Sequence, residues 1–199
     1  MAVNSKAPID QLLEDFNRYF LLDEAEKAGL AARFTERKIK RRQFILQEGD
    51  VCKHYTYVAQ GCFRKFYVDE KGIERNLQFV AENDWVLEID SFYNEVPSRV
   101  YVEAIEPSVV LQIKRPDLIF LYQNTSKSDK YFRVMTENRF AQQENRILEA
   151  ISSTAEERYL SFIKQYPNLL SRLPSTQIAS YLGITPEFLS KIRKDNSKK

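Results

Sequence analysis

The sequence predicts an α+β protein: an antiparallel β-roll of the jelly-roll type with flanking helices, then a long helix and a small helical domain. Apolar residues recur at helical spacing towards both ends, whereas residues 39–113 hold short runs rich in Phe, Tyr, Val and Ile. Turn residues recur in this middle stretch at intervals of eleven or twelve positions. With 199 residues, 43% of them apolar, the chain can form a larger and a smaller domain.

Composition excludes several classes of protein. The chain carries 30 Lys and Arg against 28 Asp and Glu, but only one His and two Cys. No segment approaches the roughly 20 apolar residues of a membrane-spanning helix, and the N-terminal stretch lacks the uncharged core of a secretory signal. We therefore predict a cytoplasmic protein with Cys52 and Cys62 as free thiols and His54 in a surface turn. Neither a metal, a cofactor, a catalytic residue nor enzyme activity is expected.

Two helices are predicted before the strands. Residues 9–20 place six apolar side chains at the spacing of an amphipathic helix. Asp23, followed by Glu24 and Glu26, is typical of the N-cap and acidic first turn of a second helix, which should reach about Phe34.

Four turn residues divide the predicted strands. Gly49, Gly61, Gly72 and Asn83 follow one another at intervals of twelve, eleven and eleven residues. Asn is the residue that best replaces Gly at positive φ. Turns at this interval, with a strand between each pair, favour a roll whose corners are in register. Four unrelated hairpin turns are the alternative.

A helix of about 22 residues is predicted after the strands. Val134, Ala141 and Leu148 fall seven apart, with Asn138 and Asn145 between them. A heptad seam containing buried Asn is typical of a two-stranded dimer contact. The alternative is a core helix that packs on the roll, and one helix can do both.

The predicted domains follow from the end of this long helix. Ser152 to Thr154 interrupt it, and Thr154 with Glu157 has the capping-box pattern of a new helix. We predict a domain of N-terminal helices and β-roll over 1–127, a dimerisation helix with its hinge over 128–152, and a small helical domain over 153–199.

The C-terminal domain has the pattern of a helix-turn-helix. Ser175 or Thr176 should cap the first helix, Gly183 should form the turn, and Thr185 should cap the second helix with Pro186 at its first position. The predicted inward faces comprise Ile178, Ala179, Leu182, Leu189 and Ile192.

Charge supports a nucleic-acid partner for this domain. Residues 155–199 hold eight Lys and Arg against four Asp and Glu, which leaves the rest of the chain at about −2. A recognition helix needs exposed polar side chains for base edges and cations for phosphates. A helical hairpin with a solvated basic tail is the alternative. The predicted DNA-binding residues are Ser175, Thr176, Thr185, Glu187, Phe188, Ser190, Lys191 and Lys194.

The chain resembles the CRP/FNR family of bacterial transcription regulators. The resemblance is carried by residues 45–86, which look like the family's β-roll, and by residues 178–194, which look like its DNA-reading helices. It implies a homodimer that binds a pseudo-palindromic site in double-stranded DNA and works with RNA polymerase. It also implies that Glu187 and Lys191 read bases, although Pro186 stands where many members carry an arginine.

The same resemblance implies an effector pocket, but its residues depart from the family's nucleotide cassette. Glu88 stands in the glutamate position, whereas Leu87 replaces the glycine that permits close backbone approach. Ser98 and Arg99 invert the family's arginine-serine order. We therefore predict that cAMP is not the effector. The predicted pocket residues are Glu88, Ser98, Arg99, Gln143 and Glu144.

Two further expectations concern the C-terminus. Only five residues follow Lys194, too few for the β-hairpin wing of many family members, so a truncated winged helix with a basic tail at Lys198 and Lys199 is predicted. The alternative function is a small-molecule-binding β-roll module whose helical tail mediates protein contacts. It predicts no salt-sensitive DNA binding.

Overall fold

A computed structural model of the chain describes residues 6–196. Of these, the residues up to Tyr67 together with Phe79–Met135 form one compact unit, and Val68–Gln78 together with the residues from Thr136 onward form a second. The predicted basic tail at Lys198 and Lys199 lies outside the described residues. None of the described helices is long and apolar enough to cross a membrane.

Within residues 6–196, eight strands form two four-stranded sheets, which confirms the predicted antiparallel roll. Their order in the first sheet is β1-β8-β3-β6 and in the second β2-β7-β4-β5. The strands β1 and β6 were not predicted as separate elements. The strands are β1 Thr35–Ile39, β2 Phe44–Leu46, β3 His54–Gln60, β4 Phe63–Val68, β5 Glu74–Val80, β6 Asp84–Val86, β7 Tyr101–Ala104 and β8 Ser108–Lys114.

The predicted turn residues all have positive φ. The values are 87° for Gly49, 98° for Gly61, 76° for Gly72 and 62° for Asn83. Gly61 is also required by space, because a Cβ there would lie 2.8 Å from the Cα of Ser108. The corners therefore depend on backbone conformations that only Gly, and less readily Asn, adopts without strain.

Eight helices accompany the sheets among the described residues. The prediction missed α3 and α4, and it began the long helix α5 two residues late. The helices are α1 Pro8–Asn17, α2 Glu24–Ala31, α3 Ile89–Asn94, α4 Arg115–Asn124, α5 Ser126–Ser152, α6 Ala155–Gln165, α7 Ser175–Leu182 and α8 Pro186–Asn196.

A buried polar network lies in the core of the first unit. Trp85 Nε1 donates a hydrogen bond of 3.0 Å to the hydroxyl of Tyr131, which in turn donates one of 2.5 Å to Asp15. The ring of Phe16 stacks on Tyr131 with 3.6 Å between centroids. Burial raises the pKa of the Asp15 carboxyl above its ordinary value, and the hydrogen bond from Tyr131 opposes this shift.

The break between α5 and α6 has the predicted capping box. The amide of Glu157 donates to Thr154 Oγ1 at 3.3 Å, and the amide of Thr154 donates to Glu157 Oε2 at 2.7 Å. These two bonds satisfy backbone groups that a helix start otherwise leaves unpaired. The chain therefore leaves one helix and enters the next at a defined residue.

Candidate nucleic-acid interface and effector pocket

The turn between α7 and α8 forms as predicted. Gly183 ends α7 in the left-handed conformation, with φ of 70°, and the amide of Ile184 donates to the carbonyl of Ala179 at 3.0 Å. The amide of Phe188 then donates to Thr185 Oγ1 at 3.2 Å, so Thr185 caps α8. These bonds fix the direction in which α8 leaves the turn.

The predicted cap of α7 is wrong. Pro174 is the N-cap residue and provides no side-chain hydrogen bond, while Ser175 and Thr176 lie inside the first turn and are exposed. The Ser175 hydroxyl instead accepts a bond of 2.8 Å from the guanidinium of Arg193 on α8. Arg193 was not predicted as a functional residue, although it stands in the basic stretch of α8. It links the last turn of α8 to the first turn of α7.

The predicted inward faces of both helices are confirmed. Each of the five side chains is at most 6% exposed, which holds α7 and α8 together through a small apolar core. The residues are Ile178, Ala179, Leu182, Leu189 and Ile192.

The outward face of α8 presents polar, basic and aromatic groups. Glu187, Ser190, Lys191 and Lys194 are exposed, and Phe188 is 46% exposed. Ser190 Oγ donates to the carbonyl one turn earlier, at 2.9 Å, so its lone pairs rather than its proton face outward. The face offers one carboxylate acceptor, two ammonium donors and an apolar ring.

The second unit also contains the hairpin Val68–Gln78, which joins β4 and β5. The amide of Asn76 donates to Ser180 Oγ at 3.1 Å, and Ser180 Oγ donates to the carbonyl of Glu74 at 2.9 Å. Asn76 Nδ2 donates to the carbonyl of Gln177 at 3.1 Å. Asn76 is only 4% exposed, so these bonds supply partners that water cannot. The hairpin thus contacts the helix α7 through reciprocal hydrogen bonds.

Arg146 on α5 joins the same contact. Its guanidinium lies 4.0 Å from the ring centroid of Tyr181 and donates to the carbonyl oxygens of Asn76 at 3.2 Å and Tyr181 at 3.4 Å. A cation over an aromatic face, with its donors directed to carbonyl oxygens, is well satisfied. No pattern in the sequence marks this arginine.

Four large apolar side chains of α5 are exposed in the second unit, and Leu148 is the one residue of the predicted dimer seam among them. The side chains of Phe140, Ile147, Leu148 and Ile151 are between 61% and 81% exposed. We call these four residues the α5 stripe. They fall on one side of a helix with about 3.6 residues per turn. Large apolar side chains grouped in this way mark a surface that another apolar surface covers.

Two of the predicted effector residues have other partners, and the other three are exposed. Glu88 caps α3, since its Oε2 accepts a bond of 2.7 Å from the amide of Ser91. Ser98 is 2% exposed and donates to the carbonyl of Val100 at 2.9 Å, whereas the side chain of Arg99 is exposed. Gln143 and Glu144 are exposed on the part of α5 that belongs to the second unit.

The cavity beside Glu88 is small. Its volume is about 20 Å³, room for about one water molecule. It is bordered by Cys52, Leu87 and Val102, and Lys65 Nζ donates to the carbonyl of Leu87 at 3.2 Å.

The two cysteines are buried free thiols, as predicted. Burial raises the pKa of the Cys52 thiol above its ordinary value, which disfavours the reactive thiolate. His54, in contrast, was predicted wrongly: it begins strand β3 and is half-buried. Among the described residues no group of three or more His, Cys, Asp and Glu side chains is placed to hold a metal ion.

Two antiparallel sheets, a long helix and a helix-turn-helix confirm the predicted fold class, and the solved structures named below share this fold. Residues 36–125 match the model of the cyclic nucleotide-binding domain. Electron transport regulator A of Shewanella oneidensis is 26% identical over 170 residues, which cover 79% of this chain and 67% of that protein.

Solved structures agree with this assignment of the fold. FixK2 from Bradyrhizobium japonicum matches with a TM-score of 0.73 at 20% identity, covering 83% of this chain and 85% of that chain. A transcriptional regulator of the crp/fnr family from Eubacterium rectale matches with a TM-score of 0.69 at 17% identity, covering 93% and 88%.

Proposed function

We propose that this protein is a homodimeric, sequence-specific DNA-binding transcription regulator that does not depend on cAMP. The observation that carries the proposal is α8, whose buried face packs on α7 while its other face exposes Glu187 and Lys191. A helix held in this way can enter the major groove, where carboxylate and ammonium groups read base edges. The excess of basic residues between 155 and 199 favours the phosphate backbone.

The α5 stripe supports a dimer of this protein. Four exposed apolar side chains on one helix face match a second copy of the same face, as in a two-stranded helical contact. A dimer would present two copies of α8 to two half-sites about 34 Å apart. The proposed operator is accordingly pseudo-palindromic, and RNA polymerase stays a predicted partner.

Two variants of α8 test DNA binding. Selection of bound DNA from a random pool should return a pseudo-palindromic motif. Lys191→Ala and Glu187→Ala should each reduce discrimination between that motif and random DNA by about 10-fold, the value of one good base contact. Lys164→Ala, which removes an exposed cation on α6, is the matched control and should leave discrimination unchanged.

The salt dependence separates base reading from phosphate contact. If Lys191 contacts only phosphate, its variant weakens both DNAs equally, and the slope of log affinity against log salt falls by about 0.9. That result would remove Lys191 from base reading. No salt-sensitive DNA binding at all would refute the proposal and favour the module whose helical tail contacts proteins.

Dimerisation is tested by placing a charge in the α5 stripe. Ile151→Lys should convert the dimer to a monomer at micromolar concentration in analytical ultracentrifugation, since the ammonium groups would lie in the apolar contact. Gln142→Lys is the control, because residue 142 is exposed on another side of α5. A dimer that survives Ile151→Lys would locate the contact elsewhere.

Independence of cAMP rests on the cavity of about 20 Å³ and on the cap that occupies Glu88. Isothermal titration calorimetry with cAMP should therefore detect no binding at micromolar concentration. Saturable micromolar binding would overturn this part of the proposal without affecting DNA binding.

A further inference from the structure

A second, larger cavity of about 310 Å³ lies in the first unit. Arg37 on β1, His54 on β3 and Lys114 at the end of β8 border it. Arg33, which follows α2, and Asp117 in the first turn of α4 complete its charged lining. Its volume is at the lower end of the range of about 300–1,000 Å³ in which ligand pockets fall.

Strand register brings these side chains together. His54 lies opposite Lys114 in the β3–β8 pair, and Thr35 lies opposite Gln112 in the β1–β8 pair. Alternate residues of a strand share a face, so Arg37 lies with Thr35 and Lys114 lies with Gln112. Five residues from three strands therefore border one face of the sheet.

Hydrogen bonds hold part of this lining in place. Arg37 Nη1 donates to Gln112 Oε1 at 2.9 Å, and Gln112 Nε2 donates to Thr56 Oγ1 at 3.0 Å. Both Gln112 and Thr56 are buried, at 3% and 2% exposed. The guanidinium of Arg37 is thus anchored to a neutral amide, which directs it without neutralising its charge.

Positive charge exceeds negative charge around the cavity. Arg33 forms an ion pair of 3.0 Å with Asp117 and lies 3.6 Å from the ring centroid of Phe120. Its Nε is buried without a hydrogen-bond partner in the described part of the chain. Lys114 has no ion-pair partner within residues 6–196. Three permanent cations therefore face one carboxylate.

The pKa of His54 is affected by this excess of positive charge. Burial lowers the pKa of its imidazole, and the charges of Arg37, Lys114 and Lys53 lower it further. Arg33 and Asp117 are the remaining charged groups of the lining, and they neutralise each other. The lowered pKa, which burial causes first and the neighbouring cations second, agrees with the excess of positive charge that the lining shows.

We propose that this cavity binds a small, multiply charged oxyanion of the phosphate class, such as a phosphate monoester. Arg33 and Arg37 would contact it through planar guanidinium groups, which suit tetrahedral oxyanions, and Lys114 would contribute a third cation. His54 borders both this cavity and the small one beside Glu88, whereas Arg33, Arg37 and Lys114 border only the larger one. The proposal does not depend on the proposed DNA binding.

Nuclear magnetic resonance of His54 tests the proposal directly, because it is the single histidine of the chain. Inorganic phosphate, titrated into the full chain at constant ionic strength, should shift the imidazole resonances saturably with a Kd below about 1 mM. Binding should also raise the pKa of His54, since an anion favours the protonated ring. Shifts that increase linearly without saturation would overturn the proposal.

Matched variants locate the site. Lys114→Gln and Arg37→Gln should each weaken phosphate binding at least about 10-fold, the value of one charge-assisted contact. Lys38→Gln removes an exposed cation of β1 at the neighbouring position, whose side chain belongs to the other face, and should leave the affinity unchanged. Equal loss in all three variants would show non-specific attraction and overturn the proposal.

Citrate distinguishes the chemical class. At equal ionic strength it should bind His54's cavity more weakly than phosphate or pyrophosphate. A preference for citrate would refute the phosphate class.

Lys114 is exposed, so its variant should fold even if the Arg37 variant does not, and circular dichroism of each variant verifies folding.

Discussion

Gly61 allows the most direct test of the roll geometry. Its φ of 98° lies in a region that side chains disfavour, and its amide donates to Glu82 Oε1 at 2.8 Å. A Cβ at this position would lie 2.6 Å from the Cβ and 2.8 Å from the Cα of Ser108, with the Ser108 hydroxyl still nearer. Gly61→Ala therefore combines backbone strain with a steric clash against strand β8.

The two effects have separate magnitudes. Positive φ costs a non-glycine residue about 1–2 kcal/mol, and forced overpacking of a rigid site costs about 1–3 kcal/mol more. The clash reaches the backbone of Ser108, so a change of side-chain rotamer cannot relieve it. We expect Gly61→Ala to lower the free energy of unfolding by about 2–5 kcal/mol.

Gly49→Ala is the matched control, because Gly49 has φ of 87° but open space around its Cβ position. It should lose only the strain of about 1–2 kcal/mol. Urea unfolding followed by the fluorescence of Trp85, the single tryptophan, measures the free energy of unfolding of both variants, because both glycines and Trp85 lie in the first unit. Losses within about 0.5 kcal/mol of each other would refute the role of the close approach to Ser108.

Three other perturbations test the interior and the caps. Arg64→Met should lower the free energy of unfolding, measured in urea, by about 3–5 kcal/mol. The substitution leaves the buried carboxylate of Glu103 without the guanidinium that lies 2.5 Å from it. The double variant with Glu103→Leu should recover most of this loss. The stability of Asp15→Asn relative to wild type should increase as the pH rises above 3.8. The folded wild type has a raised Asp15 pKa, so it loses stability as this carboxyl ionises, whereas the variant has no carboxyl to ionise. A difference in stability that does not change with pH would contradict this. Thr154→Ala should lose about 1 kcal/mol in thermal unfolding, whereas Thr154→Ser, which keeps the hydroxyl, should lose much less.

Turns and caps could be predicted because their chemistry is local. Asn83 and Gly183 adopt positive φ where the spacing and the flanking patterns require a turn. Thr154 and Thr185 accept bonds from amides three residues ahead, which the sequence pattern alone indicates. Local signals of this kind also made the helix-turn-helix half of the candidate site predictable.

Elements that depend on distant partners were missed. Strand β1 reads Thr-Glu-Arg-Lys-Ile and shows no alternation of apolar residues, yet all five residues pair with β8. In α4, consecutive apolar residues conceal the helical spacing of Leu118 and Leu121, the two that are buried. Tertiary contacts decide both elements, and a periodicity argument does not detect them.

The cavity in the first unit was missed for the same reason. Arg33, Arg37, His54 and Lys114 come from separate elements, and only the register of β1, β3 and β8 places them around one space. The sequence contains no run or motif that joins them.

The contact between Asn76 and Ser180 has a consequence for synthesis of the chain. The hairpin Val68–Gln78 leaves the ribosome about a hundred residues before the helix that supplies its hydrogen-bond partners. Domains generally fold as units, and the N-terminal ones fold first during translation. Here the second unit combines the hairpin Val68–Gln78 with the residues from Thr136 onward. The side chain of Asn76 in the nascent hairpin therefore lacks its partners on α7 until that helix has been synthesised. Native hydrogen exchange should accordingly find the hairpin amides opening together with those of α7, as one late-forming cooperative element.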